Sequence, residues 1–136
     1  MAYPTEKAIL DGLCTTLASG CVGLHPLPYP TPQMVTPAAF PVLRWPLQQT
    51  YGRRAGPIDC EIHVLVKWGM GAGPTLGEYT DPEGSKSIAA ALLATQALGV
   101  TGVTGSKLEE MSEPKLFVFP GNESYWGRTI RLKIFI

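Results

Sequence analysis

The run KWGMGAGPTLGEYTDP, residues 67 to 82, puts Gly69, Gly71 and Gly73 directly after a strand-like segment. Asp81-Pro82 follows, a pair suited to opening a helix. Strand, glycine-rich loop and helix is the order in which backbone N–H groups cradle a phosphate. The details oppose that chemistry. A P-loop needs a Gly-Lys pair, and the chain has none. A dinucleotide fingerprint opens its helix directly, whereas here Pro74 follows Gly73 and the expected helix starts about eight residues later. Residues 69 to 80 are therefore expected to form a flexible, hinge-rich arm for assembly.

Asp59, Glu61 and His63 are the other candidates for chemistry. They share one face of a strand, with neighbours on that face roughly 7 Å apart and alternate ones about 13 Å apart. Asp59 and His63 cannot meet on one metal ion, so a polar sheet face turned to solvent or to a subunit is expected. His25 sits in a proline-rich apolar stretch and reads as a packing residue. No G-x-S-x-G elbow is present, and Cys14, Cys21 and Cys60 lack a catalytic setting. The basic clusters are Arg53-Arg54 and the set Arg128, Arg131 and Lys133. They suit phosphates, a neighbouring subunit, or Glu109, Glu110 and Glu113 of the same chain. No catalytic residue, metal or cofactor is expected.

The elements that position these residues run in the order α-β-β-β-α-β-β. Residues 5–19 form the first expected helix, with Thr5 as cap, Ile9, Leu13 and Leu17 as apolar stripe, and Gly20 beyond its end. Residues 21–46 are an extended segment punctuated by Pro26, Pro28, Pro30, Pro32, Pro37, Pro41 and Pro46, with Pro41 required at a sheet edge or bulge. Residues 48–68 read as a hairpin, LQQTY joined through GRRAG to PIDCEIHVLVKW. In its second strand Ile58, Cys60, Ile62, Val64, Val66 and Trp68 point inward, and Leu65 stands among the outward polar residues. Residues 82–98 are the second expected helix, capped by Asp81. Residues 114–136 form a C-terminal hairpin with Ile130, Leu132, Ile134 and Ile136 inside and Arg131, Lys133 and Phe135 outside. The class is α+β, a mostly antiparallel sheet flanked by two helices.

Composition points to assembly. The 136 residues suit one domain. Eleven basic and eleven acidic residues cancel, which excludes a global field favouring nucleic acid or membrane. Charged residues make up 16% of the chain, against about a quarter in typical soluble domains. So few charges leave a surface weakly protected from association, and partners are expected to cover it. No apolar run approaches the roughly 20 residues of a membrane span. No secretory leader is expected, and the odd cysteine count fits a reducing cytoplasm.

The opening PTEKAILDGLCTTLAS, the proline-rich stretch ending in TPAAFPVLRWP, the hairpin TYGRRAGPIDCEIHVLVKWG and the closing YWGRTIRLKIFI carry a family likeness. Together they resemble the tail terminator (tail completion) proteins of long-tailed, siphovirus-type bacteriophages, notably those infecting actinobacteria. The likeness extends over nearly the whole chain, though its motifs are soft and the proline density of residues 26–46 departs from the pattern. It implies a non-enzymatic virion protein of the tail or neck, assembled in the host cytoplasm as a hexameric ring. Such a ring caps the tail tube, stops its polymerisation and meets the head-closure (connector) protein, while DNA passes through its lumen without sequence-specific binding. Under that likeness Leu65, Trp68, Gly69, Met70, Gly71, Gly73, Leu76, Tyr79 and Phe135 are the candidate interface residues. Arg53, Arg54, Arg131 and Lys133 are the candidate lumen or partner contacts. The alternatives are a head–tail connector or other neck or minor tail protein, and a small cytoplasmic ligand-binding or enzymatic domain.

Overall fold

Around the strand at residues 58–67 the rest of the chain is arranged. A computed structural model describes residues 6–21, 23–29, 35–44, 49–50, 53–54, 58–69, 71–81, 83, 86–96, 98–100, 103–119 and 123–135. Its elements are α1 (Glu6–Gly20), β1 (His25–Pro26), β2 (Ala38–Arg44), β3 (Gln49–Thr50), β4 (Arg53–Arg54), β5 (Ile58–Lys67), α2 (Ala72–Thr80), α3 (Ile88–Ala94), β6 (Gly105–Met111), β7 (Lys115–Phe119) and β8 (Glu123–Phe135). The protein is α+β, with a six-stranded, mostly antiparallel sheet and three helices. The order across the sheet is β1-β2-β5-β8-β6, and β7 also pairs with β8. Among the described residues only the short β1–β2 pairing is parallel.

Alternation in β5 and β8 decides where the helices go. Ile58, Cys60, Ile62, Val64 and Val66 of β5 and Ile130, Leu132 and Ile134 of β8 form one face. Onto it pack Ile9, Leu13 and Leu17 of α1, Leu76 and Tyr79 of α2, and Ile88 and Leu92 of α3. Each of these large side chains contributes about 1.5–3 kcal/mol through removal of apolar surface from water. Gly12 lets α1 approach the turn at Leu98–Val100 so closely that a Cβ there would strike the Val100 side chain and the Leu98 carbonyl.

Pro41 is accommodated as its missing N–H demands. His25 N–H donates to Pro37 O and Leu27 N–H to Ala39 O, so odd-numbered residues of β2 turn their polar groups toward β1. β1 pairs only with Ala38 and Ala39, which leaves Pro41 on the open side of β2.

Three boundaries differ from the sequence reading. Residues 72–80 are helical, so the expected arm of residues 69–80 shrinks to the turn before α2. Ala72, Leu76, Tyr79 and Thr80 fall on one stripe and are buried, which outweighs the poor propensity of Gly73 and Gly77. Pro74 sits in the first turn, where its lost N–H is harmless. The helix expected over 82–98 is α3, confined to Ile88–Ala94. Ser87, not Asp81, caps it, its Oγ accepting from Ala90 N–H at 3.2 Å. Asp81 instead ends α2, its N–H donating to Gly77 O. Finally, the main partner of β5 outside β8 is β2, with residue numbers of each pair summing to 103, as in Ala38↔Leu65 and Arg44↔Asp59. The pairs Gln49↔Arg54 and Thr50↔Arg53 of the β3–β4 ribbon keep the same sum. The expected hairpin over 48–68 is thus corrected: β5 pairs with β2, and β3 and β4 form a separate two-stranded ribbon. Thr5, Pro82 and Ile136 lie outside the described residues.

On the far side of β8, β6 and β7 follow one another along the same edge. Their offsets slip by one residue between Leu108 and Glu110, and again before β7. A β-bulge produces such a slip.

Candidate functional site

The face of the sheet opposite the helices changes character along its length. Rows across the strands follow from the register. At one end Ala38, Phe40, Leu65 and Tyr125 are buried together, with Leu27 and Phe117 against them. Farther along stand Val42, Glu61, Arg131 and Glu110, then Arg44, Asp59, Lys133 and Lys107. Among the described residues no helix packs on this face.

Glu61 is the hub of the charged end. Its Oε1 lies 3.2 Å from Arg44 Nη2 and 3.5 Å from Arg131 Nε, and its Oε2 lies 3.8 Å from His63 Nε2. Arg131 also donates from Nη1 to Glu110 Oε1 at 2.9 Å. The network thereby ties β2, β5, β8 and β6 together. Both arginines are half-exposed or more, so each pair is screened by water and is worth about 1 kcal/mol at most. Two shallow hollows flank the hub. One, of about 270 Å³, is lined by Asp59, Glu109 and Lys133; the other, of about 310 Å³, by His63, Glu110, Ser112 and Lys115.

His63 stands at the boundary between the apolar and charged ends. Its Nδ1 shares a 2.9 Å hydrogen bond with Thr129 Oγ1, and its ring lies 5.1 Å from Phe40 and 5.7 Å from Phe117. Burial lowers its pKa from the ordinary 6.5; Glu61 opposes the shift, while Lys115 and Arg44 reinforce it. The imidazole is neutral at pH 7.

The thiols are inert at neutral pH. Burial pushes Cys14 and Cys21 up to about 11 and Cys60 up to about 12. Asp11 adds to the rise at Cys14 and Glu61 to that at Cys60. Among the described residues no three His, Cys, Asp or Glu side chains gather as metal ligands would. Asp59, Glu61 and His63 do share a face, and the Glu61 carboxylate serves ion pairs with Arg44 and Arg131 rather than a common centre.

The sequence-derived interface residues fall into three groups. Leu65, Leu76 and Tyr79 are buried in the fold, which corrects their expected place at a subunit contact. Leu65 was expected on an otherwise polar face; that face has an apolar core of its own there. Gly69, Gly71 and Gly73 are exposed, and Gly71 precedes α2 at φ 83°, a left-handed value that favours glycine. Gly73 lies inside α2 rather than in a loop. Trp68, expected to point inward, is 52% exposed and rests on Trp126 at 5.0 Å, and Phe135 is 38% exposed. Met70 and the side chains of Arg53 and Arg54 lie outside the described residues. Arg131 belongs to the Glu61 network, and Lys133 is half-buried beside Asp59 and Lys107.

Sequence reasoning missed a second exposed apolar group. Leu116 and Val118 of β7 are 47% and 66% exposed, and Leu116 is the cross-strand partner of Trp126. The signal was present in the run KLFVF: five residues with four large apolar side chains on both faces of an edge strand. No helix among the described residues is long and apolar enough to cross a membrane. No protein-family model matches the chain, and no curated protein matches its sequence.

Proposed function

We propose that this chain is a structural virion protein, a tail terminator that closes the end of a bacteriophage tail tube as a ring of identical subunits, six by the family likeness. It stops tube polymerisation and joins the tube to the head-closure protein, with DNA passing through the lumen. One observation carries the reading: a chain with few charges leaves Trp68, Leu116, Val118, Tyr29 and Val35 about half exposed or more. Exposed apolar groups gathered in this way mark surfaces that partners cover. The helix-free face adds support, since its acidic and basic side chains pair with one another around Glu61. Ring, tube contact and head contact would then divide the remaining surface among them.

The test is tube assembly in vitro. Tail-tube protein is polymerised with and without this protein, and lengths and ends are inspected by negative-stain electron microscopy. A terminator shortens the tubes and leaves a ring of extra density at one end. Unaltered tubes without bound protein overturn the reading. Binding to the head-closure ring or portal in place of the tube would make the protein a connector.

A further inference from the structure

Among the described residues the sheet has two open edges, and each carries exposed apolar side chains. At the β7 edge stand Leu116 and Val118, with Trp68 and Trp126 beside them on the helix-bearing face. At the opposite edge β1 covers β2 only at Ala38 and Ala39. Beyond that point β2 is unpaired among the described residues, and Val42 is 38% exposed there. Tyr29, just past β1, and Val35, just before β2, are 55% and 68% exposed. Among the described residues, six of the eight exposed large apolar side chains thus belong to these two margins, the others being Leu93 and Phe135.

We infer that the occupant of each edge is a second copy of this chain, joined head to tail: the β7 edge of one subunit seats against the β1–β2 edge of the next. This rests on the ring reading above and names its two surfaces. A heterologous contact needs two different patches on one molecule, and repeated through successive copies it closes a ring. The two margins satisfy that need. A self-paired contact of β7 with β7 would leave Tyr29, Val35 and Val42 in water. The head-to-tail contact covers both patches at once. Side chains supply most of the contact, because backbone pairing is limited on both sides. Pro41 gives β2 no N–H at its open side, and Pro114 and Pro120 bracket the five residues of β7. A stable contact buries about 800 Å² per partner, more than a five-residue edge offers, so the tryptophans and Tyr29 must take part.

The test uses two full-length variants, each with one edge spoiled at exposed positions: Leu116→Lys/Val118→Lys, and Val35→Glu/Val42→Glu. Sedimentation velocity is run on each, on the wild type and on an equimolar mixture. The wild type is expected to form a closed oligomer, alone or on tube ends, and each variant to sediment as a monomer. The mixture should give a 1:1 heterodimer and nothing larger, because only one intact edge of each kind remains. Far-UV circular dichroism checks that the variants fold; if one does not, Leu116→Ser/Val118→Thr or Val35→Thr/Val42→Thr replaces it. Variants that still oligomerise, a mixture that stays monomeric, or a wild type that is monomeric in solution and on tube ends each overturn the inference. Wild-type rings that obey the mixing rule but ignore tubes overturn the terminator reading alone. Tube-capping rings that both variants still form overturn the edge pairing alone.

Discussion

Leu65 separates a folding role from an assembly role, and its truncation to alanine gives a number for each. The side chain is fully buried between Phe40, Tyr125 and Phe117, on the face that has no helix over it. Leu65→Ala removes about three carbons' worth of apolar contact, or roughly 2.4 kcal/mol at about 0.8 kcal/mol per methylene. A residual cavity adds to that, and Leu→Ala changes in cores span about 2–5 kcal/mol. The cluster is small and walled partly by Leu27 and Phe117, which are only half-buried and free to close in. The expected cost is therefore about 3 kcal/mol, near the lower part of that range. It is measured by urea unfolding followed by tryptophan fluorescence in the Leu116→Lys/Val118→Lys background, where dissociation does not contribute to the transition. With an m-value of about 2 kcal/mol/M the midpoint falls by roughly 1.5 M, and the melting temperature by about 10 °C. Introduced into the otherwise wild-type chain at a temperature where it remains folded, Leu65→Ala should leave oligomerisation intact. A loss under about 0.5 kcal/mol together with loss of assembly would refute the assignment and return Leu65 to the subunit surface.

Two further outcomes follow from the same face. Gly127 lies where a Cβ would strike Val64 O and press on the Leu65 and Phe117 side chains, so Gly127→Ala should destabilise by about 1–3 kcal/mol in the same urea assay, and a neutral result would contradict the close packing of β5 on β8. His63 titrates lower in the folded chain than its ordinary 6.5, so between those two values the unfolded chain binds the extra proton; its contribution to stability is complete above pH 6.5 and is lost as pH falls from there toward the folded pKa. Stability measured at intervals from pH 7.5 to 5 should drop more steeply for wild type than for His63→Gln, and parallel curves would dismiss the burial of the imidazole.

What the sequence disclosed and what it hid divide along physical lines. The alternation of Ile58 to Val66 and of Ile130 to Ile134 was legible because it depends on one strand at a time, and with it came the α+β class. α2 was hidden: two glycines in nine residues lower its intrinsic propensity by about 2 kcal/mol relative to alanine, and Pro74, harmless in the first turn, reads in the sequence as a helix breaker. What makes it a helix is the stripe of Ala72, Leu76, Tyr79 and Thr80, and that stripe has value only once a core exists to receive it. Leu65 was hidden for a related reason. Its neighbours come from β2, β7 and β8, and nothing within β5 announces them.

The charged network shows how narrow the margin is. Continuing the register of β6 from Gly105↔Phe135 through Leu108↔Leu132 would bring Glu109 opposite Arg131. The bulge after Leu108 inserts one residue, and Glu110 takes that place, 2.9 Å from Arg131 Nη1. Two adjacent glutamates in the sequence thus receive different surroundings, one in the ion network and one at the rim of the neighbouring hollow. A slip of one residue, which only the folded strands can impose, decides which glutamate joins the ion network of the sheet and which stays outside it.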